Sequence, residues 1–475
     1  MEKLLINGEW IETEESYELF SPYSSELIAE IPVCSEKEVD LAIQSAYDTK
    51  ESWSETPSYK RAEILENLAE LYDLNLEKAA KLISLESAKP IKLARNEVER
   101  TIQTFKFSAE EAKRISGETI PLDAAPGGVN RIAYTVKEPL GVIGAITPFN
   151  FPLNLVAHKI GPAIAAGNTI VLKPAVQTPL SSLFMASLLE EAGLPNGVLN
   201  IVTGSGSVVG EAIVQDKRVN MITFTGSPKV GTEIKEKAGL KKVALELGSN
   251  AAVIVDKDVE VSDALIEKCV NGAYSNNGQI CISLQRIFVH ENISKEFINK
   301  FQTYTEKLII GDPLDDNTDI SAMISKHELQ EKLKWVEESK KSGAEIKMGG
   351  NAINNGMAPT IILNVNSKEK VFCEEVFAPI AIINEIKDVD EGISNVNDSK
   401  YGLQAGIFTN DVHTAIKAID NIYAGSVLIN DIPTFRVDHM PYGGVKQSGL
   451  GREGVKYSVE EMTEMKLVIW NKNKI

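Results

Sequence analysis

Cys281 closes the stretch Asn276-Asn277-Gly278-Gln279-Ile280-Cys281, a lone thiol after a glycine and a run of amides. A thiol is the side chain most readily made into a strong nucleophile near neutral pH, and the glycine lets backbone and ligand come close. Cys281 is therefore the candidate nucleophile, the ordinary alternative being a small buried hydrophobe. Glu246 interrupts the apolar run Val243-Ala244-Leu245-Glu246-Leu247-Gly248 with a carboxylate. Burial there raises a carboxyl pKa toward the range useful to a general base, unless the group is paired in a strand-face salt bridge. Asn150, in Thr147-Pro148-Phe149-Asn150-Phe151-Pro152, is bracketed by two aromatics and two prolines. So rigid a turn can aim an amide N–H at a developing oxyanion, although asparagine in such turns also serves structure alone.

A second group of residues suits a phosphate-bearing ligand. Gly204-Ser205-Gly206 and Gly226-Ser227-Pro228-Lys229-Val230-Gly231 follow apolar strands, and the second leads into a helix whose first N–H groups are free for phosphate. Their spacing differs from G-x-G-x-x-G, so both also read as ordinary strand-to-helix turns. Lys173 ends the run Ile170-Val171-Leu172, at the carboxyl end of a strand, where α/β sheets bind ligands.

These groups must be held by a scaffold, and the chain of 475 residues is long enough for two or three domains. Lys and Arg number 49 against 67 Asp and Glu, a formal charge of −18 that argues against nucleic acid or an anionic membrane as a broad-surface partner. Neither a signal-peptide core nor a membrane-length apolar run stands out, so a cytoplasmic protein is expected. Cys34, Cys269, Cys281 and Cys373 lack metal-ligand spacing, and free thiols with no metal are expected.

Leu4 to Trp10 reads as a hairpin turning at Asn7-Gly8. Residues 35 to about 112 read as amphipathic helices, opened by a capping box at Ser35-Glu36-Lys37-Glu38. From Gly141 the grammar alternates: strands at Gly141–Ile146, Thr169–Leu172 and Val198–Val202 are separated by helices, one over Leu180–Ala192. A second alternation follows Asn250, with strands at Ala251–Val255, Ile287–His290, Ile380–Ile386 and Gly425–Ile429 and helices at about Val261–Ser275 and Lys295–Lys307. Such runs predict two parallel sheets covered by helices on both faces. Arg131–Val136 and Lys466–Trp470 read as exposed strands that pair either across a subunit interface or within one subunit.

Taken together the motifs resemble the aldehyde dehydrogenase superfamily. The matching segments are Pro148-Phe149-Asn150-Phe151-Pro152, Lys173-Pro174-Ala175, Phe224-Thr225-Gly226-Ser227, Leu245-Glu246-Leu247-Gly248, Gly278-Gln279-Ile280-Cys281, Glu374-Glu375-Val376-Phe377-Ala378-Pro379 and Pro441-Tyr442-Gly443-Gly444-Val445-Lys446-Gln447-Ser448-Gly449. The resemblance implies an α/β fold of two Rossmann-like parallel-sheet domains and a small β oligomerisation arm. Residues 1–120 and 140–249 would form the cofactor domain, 250–449 the catalytic domain, and 121–139 with 464–475 the arm of a homodimer or homotetramer.

The resemblance also implies roles. Cys281 would attack the aldehyde, Asn150 and the Cys281 N–H would hold the oxyanion, and Glu246 would activate water against the thioester. Lys173 and Glu375 would hold the riboses of NAD or NADP, with Thr225, Gly226, Ser227, Gly231 and Phe377 completing the cofactor site. Val176 stands where many NAD-preferring members carry a glutamate, which makes NADP tolerable without requiring it. Ala378 replaces a usual glycine. His158, Ser275 and Arg436 align with aromatic tunnel positions of members acting on apolar aldehydes, and Asn154 with an aliphatic one. With His439 and Tyr442 they imply a polar tunnel suited to lactaldehyde, glyceraldehyde 3-phosphate, sulfolactaldehyde or succinate semialdehyde. In it Arg436 binds a distal anion or else pairs with Asp438 or another local carboxylate. A coenzyme A-acylating dehydrogenase and a cofactor-independent cysteine hydrolase are the alternatives.

Overall fold

The computed structural model describes residues 2–472. Asn7 and Gly8 both take positive φ, 54° and 75°, the geometry a two-residue hairpin turn needs between Leu4–Ile6 and Glu9–Ile11. At Ser35 the capping box forms: its side chain accepts from the Lys37 N–H, and its own N–H donates to Glu38 Oε2 at 2.8 Å. Four helices follow, Glu36–Ser54, Ser58–Leu74, Leu76–Ser87 and Ile91–Ala112. The last carries two stripes at three- and four-residue spacing. Ile91, Ala94, Val98, Ile102 and Phe105 join the apolar core, while Glu97, Thr101, Thr104 and Ser108 form a second, buried polar row.

Two large sheets carry the molecule. The first runs in the order Gly449–Leu450, Lys242–Glu246, Val219–Thr225, Val142–Ile146, Thr169–Lys173, Leu199–Ile201, all parallel except the short strand at Gly449. The second runs Glu345–Met348, Thr360–Leu363, Ile380–Ile386, Arg286–His290, Ala252–Val255, Gln404–Phe408, Ser426–Ile429, with only Glu345–Met348 antiparallel. Buried apolar clusters lie against both sheets, as a parallel sheet covered by crossover helices requires. The strands expected in the two large sheets are found within a residue or so at each end, whereas the two arm strands each extend three residues further at one end. At Gly449 the chain returns from the second sheet to the first, and Val459 and Met462 then pack into the first sheet's core.

The projecting strands pair within this chain. Arg131–Pro139 runs antiparallel to Thr463–Asn471, from Thr463 opposite Pro139 to Asn471 opposite Arg131, with Thr119–Ile120 on the other edge. Residues 473–475 of the expected arm lie outside the described residues. Among the described residues, no helix is long and apolar enough to cross a membrane.

Candidate active site

The helix Asp263–Tyr274 ends in a tight turn at Ser275–Gly278, where Asn276, Asn277 and Gly278 have φ of 51°, 58° and 69°. Three successive left-handed residues are strained unless the surroundings fix them. The amides do so. Asn277 Nδ2 donates to the Ala322 carbonyl at 3.0 Å, and Oδ1 accepts from the Ser321 N–H at 2.7 Å. Gln279 Oε1 accepts from the Ile324 N–H, and Asn276 Nδ2 donates to the Asn150 carbonyl. A Cβ on Gly278 would stand 2.1 Å from the Ala378 carbonyl oxygen, so only glycine fits. The run of amides is thus the fastening of a turn that presents Cys281.

Cys281 opens on a cavity of about 210 Å³ that Arg100, Asn154, Ser275, Arg436 and Tyr442 also line. Its Sγ lies 3.0 Å from Tyr442 Oη. Burial pushes the thiol up to about 12, against the opposing effects of the Tyr442 hydrogen bond and Arg436. Asn150 is buried and donates one N–H of its amide to the Gln279 carbonyl at 2.9 Å, which leaves the second N–H for another acceptor. Glu246 ends its strand with only 5% of its surface exposed, and its Oε2 has no hydrogen-bond partner among the described residues. It is no strand-face salt bridge. Burial first, and the neighbouring Glu453 second, hold its carboxyl well above the usual range, outweighing Arg436, Lys159 and Arg452.

Behind the cavity lies a charge network that the sequence did not disclose. Asp438 accepts from Arg100 at 2.7 and 3.2 Å, from Asn154 Nδ2 at 3.0 Å, and stands 2.9 Å from His158 Nε2. Although burial opposes its charge, His158 and Arg100 keep Asp438 well below the carboxylate range. Glu453 takes Lys159 at 2.9 Å and Arg436 at 3.1 Å, and they hold it down at about 2 in spite of its burial. Arg436 therefore pairs with Glu453, not Asp438, and its guanidinium carbon lies 3.7 Å over the Tyr442 ring.

The structure corrects two substrate residues. His158 belongs to the helix Asn154–Ala166, buried along its whole length, and it sits behind the cavity wall rather than in it. Burial, then Arg436, lower its pKa, so it is a neutral ring donating to Asp438. His439 is exposed and lies against Phe107, with ring centroids 4.8 Å apart, away from the cavity. Arg100 had no motif to mark it, and Asp438 stood out only as an alternative partner for Arg436. The polar row Glu97, Thr101, Thr104 beside the apolar stripe of Ile91–Ala112 is the signal that could have shown that this helix faces a site.

A second cavity, of about 270 Å³, lies between the helical segment Gly206–Gln215 and the helix Pro228–Lys237, with Ile146, Val214, Phe224 and Val230 as apolar walls. Ser227 caps the second helix, accepting from the Val230 N–H, and Gly231 packs against Leu247. Thr225 Oγ1 is buried without a partner among the described residues. Burial lowers Lys173 to about 8, and among the described residues its ammonium donates only to the neighbouring Pro174 carbonyl. Glu375, raised to about 7 by burial, accepts from the Ser249 N–H at 3.0 Å. Phe377, at φ 53°, meets Phe149 edge-on. An apolar slot beside a helix N-terminus, with an unsatisfied hydroxyl and a buried lysine at the strand ends, fits a dinucleotide.

A parallel-sheet protein with a thiol on a cavity, a buried carboxyl and a dinucleotide-type cleft has the architecture of an oxidoreductase. Residues 10–468 match the aldehyde dehydrogenase family, and the chain belongs to it. It is an NAD(P)-dependent aldehyde dehydrogenase. The 3-sulfolactaldehyde dehydrogenase of Priestia megaterium is 49% identical over 471 residues, 98% of each chain. Aldehyde dehydrogenase 21 of Physcomitrella patens, solved with the reaction product succinate, superposes with a TM-score of 0.97 at 37% identity, covering 99% of this chain and 98% of that one. The glyceraldehyde-3-phosphate dehydrogenase GapN of Methanocaldococcus jannaschii, solved with NADP, gives a TM-score of 0.93 at 42% identity, covering 96% and 100%.

Proposed function

We propose that the enzyme oxidises a small polar or anionic aldehyde, α-hydroxylated in every candidate named below except succinate semialdehyde, to its carboxylic acid. The observation that carries this reading is the presence of Arg100 and Arg436 in the wall of the cavity that holds Cys281. Two guanidiniums, each fixed by a carboxylate behind the wall, offer planar donors to a carboxylate, phosphate or sulfonate at the far end of a short substrate. Sulfolactaldehyde, glyceraldehyde 3-phosphate, succinate semialdehyde and lactaldehyde are the candidate substrates. The names of the relatives support that class.

In this reading the Cys281 thiolate adds to the aldehyde carbon, forming a C–S bond. The oxyanion is received by the free N–H of Asn150 and by the Cys281 backbone N–H. NAD or NADP, when bound, supplies the acceptor for the hydride, and Lys173, Thr225, Gly226, Ser227, Gly231, Glu375 and Phe377 would hold it. Glu246 then takes a proton from water, which attacks the Cys281 thioester. The C–S bond breaks, the acid leaves and the thiolate returns.

We also assign a homodimer or homotetramer. Among the described residues the arm strand Thr463–Asn471 lies at the edge of its sheet and carries Leu467 and Ile469 on one face and Trp470 on the other, each exposed by half or more, apolar surface that a second copy would cover.

A panel of small aldehydes with and without a distal anion, each assayed with both cofactors, tests the substrate. The expected outcome is higher kcat/KM for the anionic members, and Arg436→Leu should raise their KM by about tenfold or more while sparing neutral aldehydes. An unchanged preference in that variant removes the anion-site argument.

A further inference from the structure

Ionising Cys281 requires help that its surroundings do not supply in the usual way. Among the described residues, no histidine or lysine bonds its sulfur, and the recorded partner of Sγ is the Tyr442 hydroxyl at 3.0 Å. Among the described residues that hydroxyl has no other hydrogen-bond partner, and the side chain is buried. Tyr442 is also unusually well held. Its N–H donates to the Glu453 carbonyl at 2.9 Å, and the Glu453 N–H returns a bond to the Tyr442 carbonyl at 2.7 Å. The Glu453 carboxylate grips Arg436, whose guanidinium lies flat over the Tyr442 ring. Tyrosine, glutamate and arginine thus close a loop around one phenol, and the phenol points at one sulfur.

We propose that Tyr442 is a catalytic residue: its hydroxyl donates a hydrogen bond to the Cys281 thiolate, stabilising and aiming the nucleophile, while Arg436 and Glu453 hold the ring in place. This rests on Cys281 being the nucleophile. The thiol proton passes to water in the cavity, and Tyr442 keeps its own proton throughout. A buried phenol ionises less readily than the thiol beside it, so when the pair loses a proton the sulfur carries the charge and the hydroxyl remains the donor. The cation over the ring withdraws electron density from it and makes the O–H a better donor. When the C–S bond forms, the sulfur pair is consumed and the hydroxyl is released.

The charged groups facing the sulfur divide by sign. Arg436 favours the thiolate; Glu375 and Glu246 oppose it. Across the cavity, Arg100 and Lys89 are matched by Asp438 and Glu97 respectively. Burial and Glu453 disfavour the charged form of Glu246, which weakens one of the two opposing effects.

Tyr442→Phe keeps the ring, the stack and the volume and deletes only the donor. The full-length variant is alkylated with iodoacetamide across a pH series, and modification of the Cys281 peptide is followed by mass spectrometry. Hydrogen bonds to charged groups predict a thiol midpoint about one pH unit higher, with alkylation and the NAD(P)H burst about tenfold slower at neutral pH and the aldehyde KM unmoved within about twofold. Wild-type midpoint and burst, or a raised KM with normal alkylation, overturn the proposal and leave Tyr442 as a wall of the substrate cavity. Should Tyr442→Phe not fold, 3-fluorotyrosine placed at 442 is the second probe. As a stronger donor it should lower the midpoint, and an unchanged midpoint counts against the proposal. Cys281→Ala separates the two levels: activity surviving in it defeats the nucleophile assignment itself, whereas activity lost there with normal alkylation in Tyr442→Phe defeats only the role of Tyr442.

Discussion

At the scale of single residues, the site is governed by what burial does to charge. Glu246 has no ion-pair partner and keeps its proton well above the usual carboxylate range, yet it can act as a base only when ionised. Deacylation should therefore speed up as pH rises toward its folded pKa. Glu246→Gln should leave the NAD(P)H burst nearly intact, slow steady turnover by about a hundredfold, the scale of general-base catalysis, and flatten that pH dependence. Stopped-flow traces decide: equal loss of burst and turnover contradicts the assignment. Lys173 carries a different pH signature. Binding an anionic cofactor favours the protonated lysine, and burial has lowered that group to about 8. Affinity for NADP should be full below that value and weaken as pH rises through it, whereas Lys173→Met should bind weakly at every pH with little slope, as fluorescence titration would show. These residues were legible in the sequence because each sits in a short segment whose neighbours are constrained by the same chemistry. Arg100, Asp438 and Glu453 were not, since a charge recruited from another element leaves no local pattern.

At the scale of elements, the fold was readable wherever one period dominated. The alternation of β-branched runs and helices disclosed both sheets, because strands buried on two faces have nothing polar to interrupt them. The helix Ile91–Ala112 was readable as a helix but not as a wall of the site. Its Glu97 forms a buried pair with Lys89 and also accepts from the N–H groups of Leu153 and Asn154 at 2.9 and 3.1 Å, at the entry of the helix Asn154–Ala166. Glu97→Ala would leave the Lys89 ammonium buried without its carboxylate and two N–H groups without an acceptor. A loss of about 3–5 kcal/mol in urea unfolding is expected, with Glu97→Gln milder because it keeps an acceptor. The pairing of Arg131–Pro139 with Thr463–Asn471 could not be chosen from the sequence, since a strand pattern says which faces are apolar but not which chain supplies the neighbour.

At the scale of the whole molecule, the arm is the least self-sufficient part. Met465, Leu467 and Ile469 are exposed on one face of the strand, and Trp470 is exposed on the other beside Ile132 and Tyr134. Leu467→Glu combined with Ile469→Glu should shift the protein to smaller species in light scattering while the circular dichroism of the sheets is kept. An unchanged mass would show that this face is not the subunit contact. The aldehyde cavity, by contrast, is assembled from distant parts of one chain: Arg100 from an early helix, Asn154 from the helix after the first strand of the first sheet, and Arg436 and Tyr442 from the loop beyond the second sheet.

Asp438 ties that assembly together, and it sets a limit on how the enzyme can change. Arg100, Asn154 and His158 all meet on its carboxylate, so replacing any one of them alters the hydrogen-bonding of the other two. Their effects should be strongly non-additive, with double variants departing from the sum of singles by more than neighbouring surface positions do. A lineage exchanging this polar pocket for an apolar one cannot do so one neutral step at a time. It must cross a stage in which a buried charge has lost its partners.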